Sequence, residues 1–171
     1  MTEYDAVVYD LDGTLVDLPV DWDAVARDTA AVLESRGVDA SDADLWAMLD
    51  IADDTGQRDA VETIIAEHEC RGAECSTRLP TVDEIPETVP IAVCSLNCEQ
   101  ACRLALSQHG IEDRIDVVIG RDTVATEKPD PEPLLTAVRR LGSDPKQTLF
   151  IGDTKRDELT AERAGTAYRY V

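Results

Sequence analysis

Short apolar runs alternate with segments of helical periodicity over most of the chain. Alternation of this kind is typical of a parallel sheet whose strands are joined by crossover helices. We therefore predict an α/β fold with a five-stranded parallel sheet. The predicted strands span 5–9, 90–94, 115–119, 148–151 and 167–170, and the helices between them span 97–109, 131–141 and 156–164.

The stretch 18–80 breaks this alternation and has the apolar spacing of helices alone. Asp21 and Ser41 are predicted N-caps, because short polar side chains accept hydrogen bonds from the first free amides of a helix. Trp22 and Trp46 fall on apolar helix faces. We expect both indoles to pack in the core of this insert or against the rest of the protein; a place for one of them in a substrate pocket is the alternative. The predicted helices span 21–36, 42–53 and 57–71.

Charge narrows the range of partners. The 171 residues include 36 Asp and Glu against 16 Lys and Arg, which gives a formal net charge of −20. Such a field repels nucleic acids and anionic membranes, so we expect neither as a partner. The acids are scattered rather than gathered in a tail, which favours a solvated surface. An acidic chain with few lysines and aromatic residues resembles proteins that work in high salt, where ions screen the self-repulsion.

No basic-then-apolar leader and no apolar run of membrane-spanning length is visible, so we expect a cytoplasmic location. Five cysteines in such a chain are interpreted as free thiols of a reducing compartment. Cys98 and Cys102, or Cys70 and Cys75 near His68, are alternatives for a disulfide or a zinc site. Neither pair has the tight C-x2-C spacing of structural zinc sites.

The most informative motif is Asp10-Leu11-Asp12-Gly13-Thr14, which follows an apolar run at 6–9. It presents two carboxylates near the C-terminal end of a predicted strand, where open α/β sheets bind ligands. Residues two apart on an extended backbone point the same way. Three further motifs follow in order: an apolar run ending in Ser95, Lys128-Pro129-Asp130-Pro131, and Gly152-Asp153-Thr154-Lys155-Arg156-Asp157.

With these four motifs the chain resembles the haloacid dehalogenase (HAD) superfamily of Mg²⁺-dependent phosphohydrolases. The resemblance covers the whole chain except the insert. It implies a three-layer, Rossmann-like HAD core made of 1–17 and 81–171. The insert at 18–80 resembles a short, all-helical C1-type cap, as in phosphoglycolate phosphatase-like members.

The resemblance also implies residue roles. Asp10 is the expected nucleophile, which forms an aspartyl-phosphate, and Asp12 is the expected general acid and base. An acid at position 12 favours phosphoryl transfer over dehalogenation. Ser95, Lys128 and the amide groups of Leu11 and Asp12 are expected to bind the phosphate.

Mg²⁺ is the expected cofactor, because a site of carboxylates, phosphate and water suits it. The resemblance assigns it to the side chains of Asp10 and Asp153 and the backbone carbonyl of Asp12. Asp157 is either a further ligand or an acceptor that orients a metal-bound water or Lys128. Asn97 has no assigned role, since many relatives place an Asn one position earlier, and capping of the next helix is the alternative.

The function implied is a phosphatase acting on small phosphorylated metabolites. A short cap closes a pocket less fully than a large one, which favours bulkier or more varied substrates. A phosphomutase using the same residues and a non-catalytic phosphate-binding protein are the alternatives. Every motif position is filled, which argues against the second. The sequence does not determine the substrate or the oligomeric state.

Overall fold

The computed structural model describes residues 4–171. The strands are β1 (Ala6–Tyr9), β2 (Val16–Asp17), β3 (Thr77–Arg78), β4 (Ile91–Cys94), β5 (Val117–Ile119), β6 (Thr148–Gly152) and β7 (Ala167–Tyr170). The α-helices are α1 (Trp22–Ser35), α2 (Leu45–Asp54), α3 (Arg58–Glu74), α4 (Glu99–Gln108), α5 (Glu132–Arg140) and α6 (Lys155–Ala164).

Five of the strands form one parallel sheet in the spatial order β5-β4-β1-β6-β7. β1 is central: Val8 pairs with Ala92 of β4 on one side and with Phe150 of β6 on the other. The predicted five-stranded parallel sheet is confirmed. The order reverses at β1, since the chain continues to β4 on one side and to β6 on the other. This is where such sheets bind ligands.

Side chains that alternate along the strands divide the core into two layers. Val7 and Tyr9 of β1 face α4 and the C-terminal part of α3, and belong to one buried cluster. Val8 points the other way and packs with residues of α5 and α6, Leu134 and Ala161 among them. Strands that are buried on both faces need apolar residues at every position, which explains the continuous apolar run at 6–9.

Helices α1, α2 and α3 share a buried cluster of their own, which includes Val25, Leu33, Met48 and Val61. The short strands β2 and β3, which the hydrophobic pattern did not predict, pair antiparallel where the chain leaves and re-enters the core. A core of its own fits the predicted cap, whose boundaries at 18 and 80 stay a prediction.

The first two helix starts differ in how well the sequence predicted them. The Asp21 side chain caps α1 by accepting a hydrogen bond from the Ala24 amide at 2.9 Å. The prediction of Ser41 as a cap was wrong, because α2 begins later and Asp44 accepts from the Ala47 amide. Ser41 instead lies in a turn before the helix, where its amide and its hydroxyl donate to Oδ1 of Asp39.

The return from the insert to the core is irregular. A 3₁₀ helix spans Pro80–Glu84, and the guanidinium of Arg114 ties this segment down by donating to the carbonyl oxygens of Val82 and Ile85. None of the helices within residues 4–171 is both long and apolar enough to cross a bilayer.

Candidate active site

The strand ends bring the predicted site residues together at one edge of the sheet. Asp10 follows β1, Ser95 follows β4 and Asp153 follows β6. The three strands are parallel, so their carboxyl ends lie at the same edge. Lys128 comes from the loop before α5 and reaches the same point. These residues line one end of a cavity of about 900 Å³.

A buried ammonium bridges two carboxylates at the centre of the site. Nζ of Lys128 donates to Oδ1 of Asp10 at 2.8 Å and to Oδ1 of Asp157 at 2.5 Å. All three side chains are more than 90% buried. The ring of Phe150, the sole phenylalanine of the chain, lies beneath the ammonium at 5.6 Å from its centroid. The sequence therefore places one of its three lysines where two buried acids need it.

One cation cannot neutralise two buried carboxylates. Burial raises the pKa of Asp10 to about 7; Lys128 lowers it, and the nearby charge of Asp157 raises it again. Burial lowers the pKa of Lys128, but the nearby charges of Asp10 and Asp157 and the hydrogen bond to Asp10 together outweigh it, so the pKa of the ammonium is raised. The ammonium thus keeps its proton, and the cluster carries an excess negative charge that a further cation would stabilise.

Two glycines make room for the acids of the last motif. Gly13 has a φ of +78°, and a Cβ there would lie 2.2 Å from Oδ2 of Asp153. A Cβ on Gly152 would lie 2.7 Å from the Cβ of Asp157. Asp153 itself is exposed to the cavity. Gly13 therefore allows the first and last motifs to lie close together, and Gly152 allows Asp157 to pack against the end of β6.

Asp157 serves two purposes at the start of α6. Its Oδ2 accepts from the backbone amide and the hydroxyl of Thr154, which is the N-cap of the helix. Its Oδ1 accepts from Lys128. Asp157 is therefore both an acid of the first turn of α6, which the helix dipole favours, and a residue of the site. With both oxygens engaged, it fits the role of an acceptor that orients Lys128.

Asp12 lies at the entrance to the insert. Its Oδ1 accepts from the backbone amide of Leu18 at 2.8 Å, which fixes the carboxyl relative to the first residue of the predicted cap. Its side chain is open to the cavity, yet the surrounding walls remove enough water to raise its pKa. The hydrogen bond from Leu18 lowers the pKa, and the charges of Asp17 and Asp153 raise it.

Ser95 and Asn97 form a closed pair after β4. Oγ of Ser95 donates to Oδ1 of the Asn97 side chain at 3.2 Å. The same Oγ accepts a hydrogen bond from the backbone amide of Asn97 at 3.1 Å. Both side chains are buried and line the cavity. Asn97 does not cap α4, because that position belongs to Cys98, whose Sγ accepts from the Ala101 amide. Asn97 instead orients the Ser95 hydroxyl.

The acids of the site suit a hard divalent cation. Asp10, Asp153 and Asp157 each place one carboxylate oxygen within 4.8 Å of the others. An all-oxygen donor set is the one that Mg²⁺ prefers. Within residues 4–171 this is the one group of three or more His, Cys, Asp or Glu side chains with that geometry.

A family model described as "Haloacid dehalogenase-like hydrolase" matches residues 7–171. The chain belongs to this family. An N-acetylmuramic acid 6-phosphate phosphatase of Pseudomonas aeruginosa is 33% identical over 96% of this chain and 81% of its own length. A phosphoglycolate phosphatase of Rhodospirillum rubrum is 31% identical over 94% of this chain and 76% of its own length. Such relatives place the chain in the phosphatase branch.

Solved structures of HAD proteins share the fold. A HAD-superfamily hydrolase of Geobacter sulfurreducens superposes with a TM-score of 0.65 at 24% identity, covering 96% of this chain and 88% of that one. A HAD phosphatase of Thermococcus onnurineus gives a TM-score of 0.66 at 21% identity, covering 98% and 86%. The three-layer, Rossmann-like HAD core predicted from the sequence is thereby confirmed.

Two site-supporting residues of this HAD protein escaped the sequence analysis. Glu69 of α3 is 1% exposed, and its carboxylate accepts two hydrogen bonds from the Arg121 guanidinium, at 2.5 and 3.1 Å. Arg121 also donates to the Leu96 carbonyl at 2.8 Å, and Glu69 accepts from the Cys98 amide at 2.9 Å. The pair therefore fastens the helical insert to the segment that carries Ser95.

A signal for both residues was present in the sequence. Arg121 lies two residues after β5, at the same sheet edge as the predicted site. Glu69 interrupts the buried face of α3, between Ile65 and Gly72. A charged residue on an apolar helix face requires a partner, because an unpaired buried charge is costly.

The expectation that Trp22 and Trp46 pack in a core was wrong. They are 51% and 67% exposed, and both line the cavity that Asp10 also lines. The alternative, a place in the pocket, therefore holds for both.

The cysteines are free thiols, as expected. Burial raises the pKa of Cys94 and Cys98 to about 12, which keeps them protonated.

Proposed function

We propose that this HAD protein is a Mg²⁺-dependent phosphatase that hydrolyses phosphate monoesters of small metabolites through an aspartyl-phosphate on Asp10. The observation that carries the proposal is the buried Asp10–Lys128–Asp157 arrangement at the end of β1, facing the cavity. It presents a carboxylate nucleophile beside a fixed cation, which is the chemistry that phosphoryl transfer needs.

In this proposal Asp10 attacks phosphorus with a carboxylate oxygen, and the bond to the leaving alcohol breaks. Lys128 holds its proton throughout and reduces the repulsion between the carboxylate and the phosphoryl oxygens. Asp157 fixes the ammonium in position through its 2.5 Å hydrogen bond. Burial raises the pKa of Asp10, and a cation held beside it would favour the charged form of this nucleophile.

Asp12 protonates the oxygen of the leaving alcohol and then removes a proton from the water that attacks the aspartyl-phosphate. A raised pKa suits a group that has to supply a proton near neutral pH. The hydrogen bond from Leu18 holds the carboxyl at the boundary of the insert. A shift of the insert would therefore move the acid, which couples proton transfer to the position of the cap.

The phosphoryl oxygens are bound by the Ser95 hydroxyl, Lys128 and the amides of Leu11 and Asp12. Asn97 orients Ser95. The side chains of Asp10 and Asp153 and the backbone carbonyl of Asp12 would hold Mg²⁺, with Asp157 beside them. When bound, the ion supplies positive charge to the phosphoryl oxygens and offsets the excess of carboxylates.

The test is release of p-nitrophenol from p-nitrophenyl phosphate in high KCl, with Mg²⁺ or with EDTA. We expect release with Mg²⁺, none with EDTA, and none from Asp10→Asn. Asp113→Asn is the matched control, because Asp113 is exposed on the 3₁₀ turn at 112–114, away from the cavity. Metal-independent release, or release that survives in Asp10→Asn, would refute the proposal.

A further inference from the structure

The cavity has two chemically different ends. The core end carries Asp10, Lys128 and the other acids of the proposed phosphatase site. The wall contributed by the helical insert combines apolar and charged residues. Its apolar lining residues are Trp22, Ala26, Leu45, Trp46, Leu49 and Ile65.

The two indoles are unusual in this protein. The chain has two tryptophans and an aromatic content of 4%, and both tryptophans lie on this wall. Their side chains are 51% and 67% exposed. Within residues 4–171, the other large apolar side chains with comparable exposure are the two C-terminal ones, Tyr170 and Val171. An indole side chain gains from stacking on a flat partner or from burial, and among residues 4–171 neither tryptophan packs against another aromatic ring. Two exposed indoles that face one cavity are the lining expected for a flat apolar ligand group.

The charges on the same wall disfavour a second anionic group on the ligand. From Trp22 to Glu69 the insert contributes one cation to the cavity lining, Arg58. That guanidinium is already paired, at 2.9 Å with Asp53 and at 2.9 Å with Glu62. The same stretch contributes four acids: Asp23, Asp44, Glu62 and Glu69. Arg121, which lines the cavity from outside the insert, pairs with Glu62 and Glu69, so four acids face two arginines here. A carboxylate at the insert end would meet net negative charge.

Building on the proposed phosphatase function, we propose that the substrates are monoesters whose leaving group carries an uncharged aromatic or heteroaromatic ring. Trp22 and Trp46 bind that ring, while Lys128 and Ser95 bind the phosphate. The cavity volume of about 900 Å³ accommodates a ring together with a phosphate. A small anionic ester such as 2-phosphoglycolate lacks a ring and adds a charge that the acidic wall repels.

The test compares kcat/KM for 1-naphthyl phosphate, glycerol 2-phosphate and 2-phosphoglycolate, in wild type and in tryptophan variants. We expect 1-naphthyl phosphate to be the best of the three substrates. Trp46→Ala should lower its kcat/KM roughly tenfold, mainly through KM. Glycerol 2-phosphate, which has no ring, should change less than about twofold. Trp46→Phe keeps an aromatic face and should restore most of the loss, and Trp22→Ala should behave like Trp46→Ala.

Binding without turnover gives an independent readout. In Asp10→Asn, calorimetric titration with 1-naphthyl phosphate should show weaker binding when Trp46→Ala is added, whereas titration with inorganic phosphate should not change. Unfolding midpoints of all variants exclude a loss of folding as the cause.

The outcomes separate the two proposals. If no ester is hydrolysed, the phosphatase function fails. If glycerol 2-phosphate or 2-phosphoglycolate is hydrolysed as well as 1-naphthyl phosphate, the phosphatase function stands and the substrate class is refuted. The substrate class is also refuted if Trp46→Ala lowers kcat/KM equally for all three substrates.

Discussion

Replacing Arg121 with Met tests the clamp between the helical insert and the core. The change removes both hydrogen bonds to Glu69 and leaves its carboxylate 1% exposed, with the Cys98 amide as the remaining donor that the structure describes. Breaking a buried ion pair by removal of one partner costs about 3–5 kcal/mol, because the other charge stays buried. We expect a loss of this size in the free energy of unfolding.

The assay is urea unfolding of purified protein at fixed KCl concentration, followed by circular dichroism. The matched control is Arg103→Met, which removes an exposed i,i+4 pair with Glu99 at 2.8 Å. Exposed pairs of this kind contribute less than about 1 kcal/mol. The double variant Arg121→Met with Glu69→Gln should be more stable than Arg121→Met alone, because the unpaired charge is gone.

A second readout concerns the site. Arg121 holds the Leu96 carbonyl, and Glu69 holds the Cys98 amide, on either side of Asn97. We expect Arg121→Met to weaken competitive inhibition by inorganic phosphate, whereas Arg103→Met should not. The reasoning is refuted if Arg121→Met costs no more stability than Arg103→Met, or if the double variant is less stable than either single variant.

Three further predictions follow from the same structure. Gly13→Ala should be about 1–3 kcal/mol less stable than Gly56→Ala in urea unfolding. Both glycines have a positive φ, but only a Cβ at position 13 would meet Asp153. Equal losses of stability would contradict the close approach of Gly13 to Asp153. In EDTA, Asp10→Asn should be more stable than wild type by up to about 4 kcal/mol above pH 7. The pKa of Asp10 is about 7 in the folded protein and 3.8 ordinarily, so the stability of the wild type falls as the pH rises from about 4 to about 7. A stability advantage of Asp10→Asn that does not grow from pH 4 to 8 would contradict the raised pKa. The chain of net charge −20 should gain unfolding free energy with KCl up to molar concentrations, through screening; equal stability at 0.1 and 2 M KCl would count against an adaptation to salt.

The sequence by itself determined the parts of the protein that depend on local pattern. The apolar run at 6–9 predicted a buried strand, and the acids after it fall at a sheet edge because parallel strands end together. Asp10, Ser95 and Asp153 follow predicted strands, while Lys128 was identified through the resemblance of its motif, and all four line one cavity. Helix boundaries agreed to within about three residues, since amphipathic periodicity is local.

Tertiary structure alone decided which partners distant residues acquire. Glu69 and Arg121 are 52 positions apart, and nothing in the periodicity around either residue specifies the other. The exposure of Trp22 and Trp46 was likewise undetermined, because an apolar helix face has the same pattern whether it meets a core or a cavity. Only the placement of the insert over the strand ends turns those indoles towards Asp10, and that placement depends on packing between segments far apart in the chain.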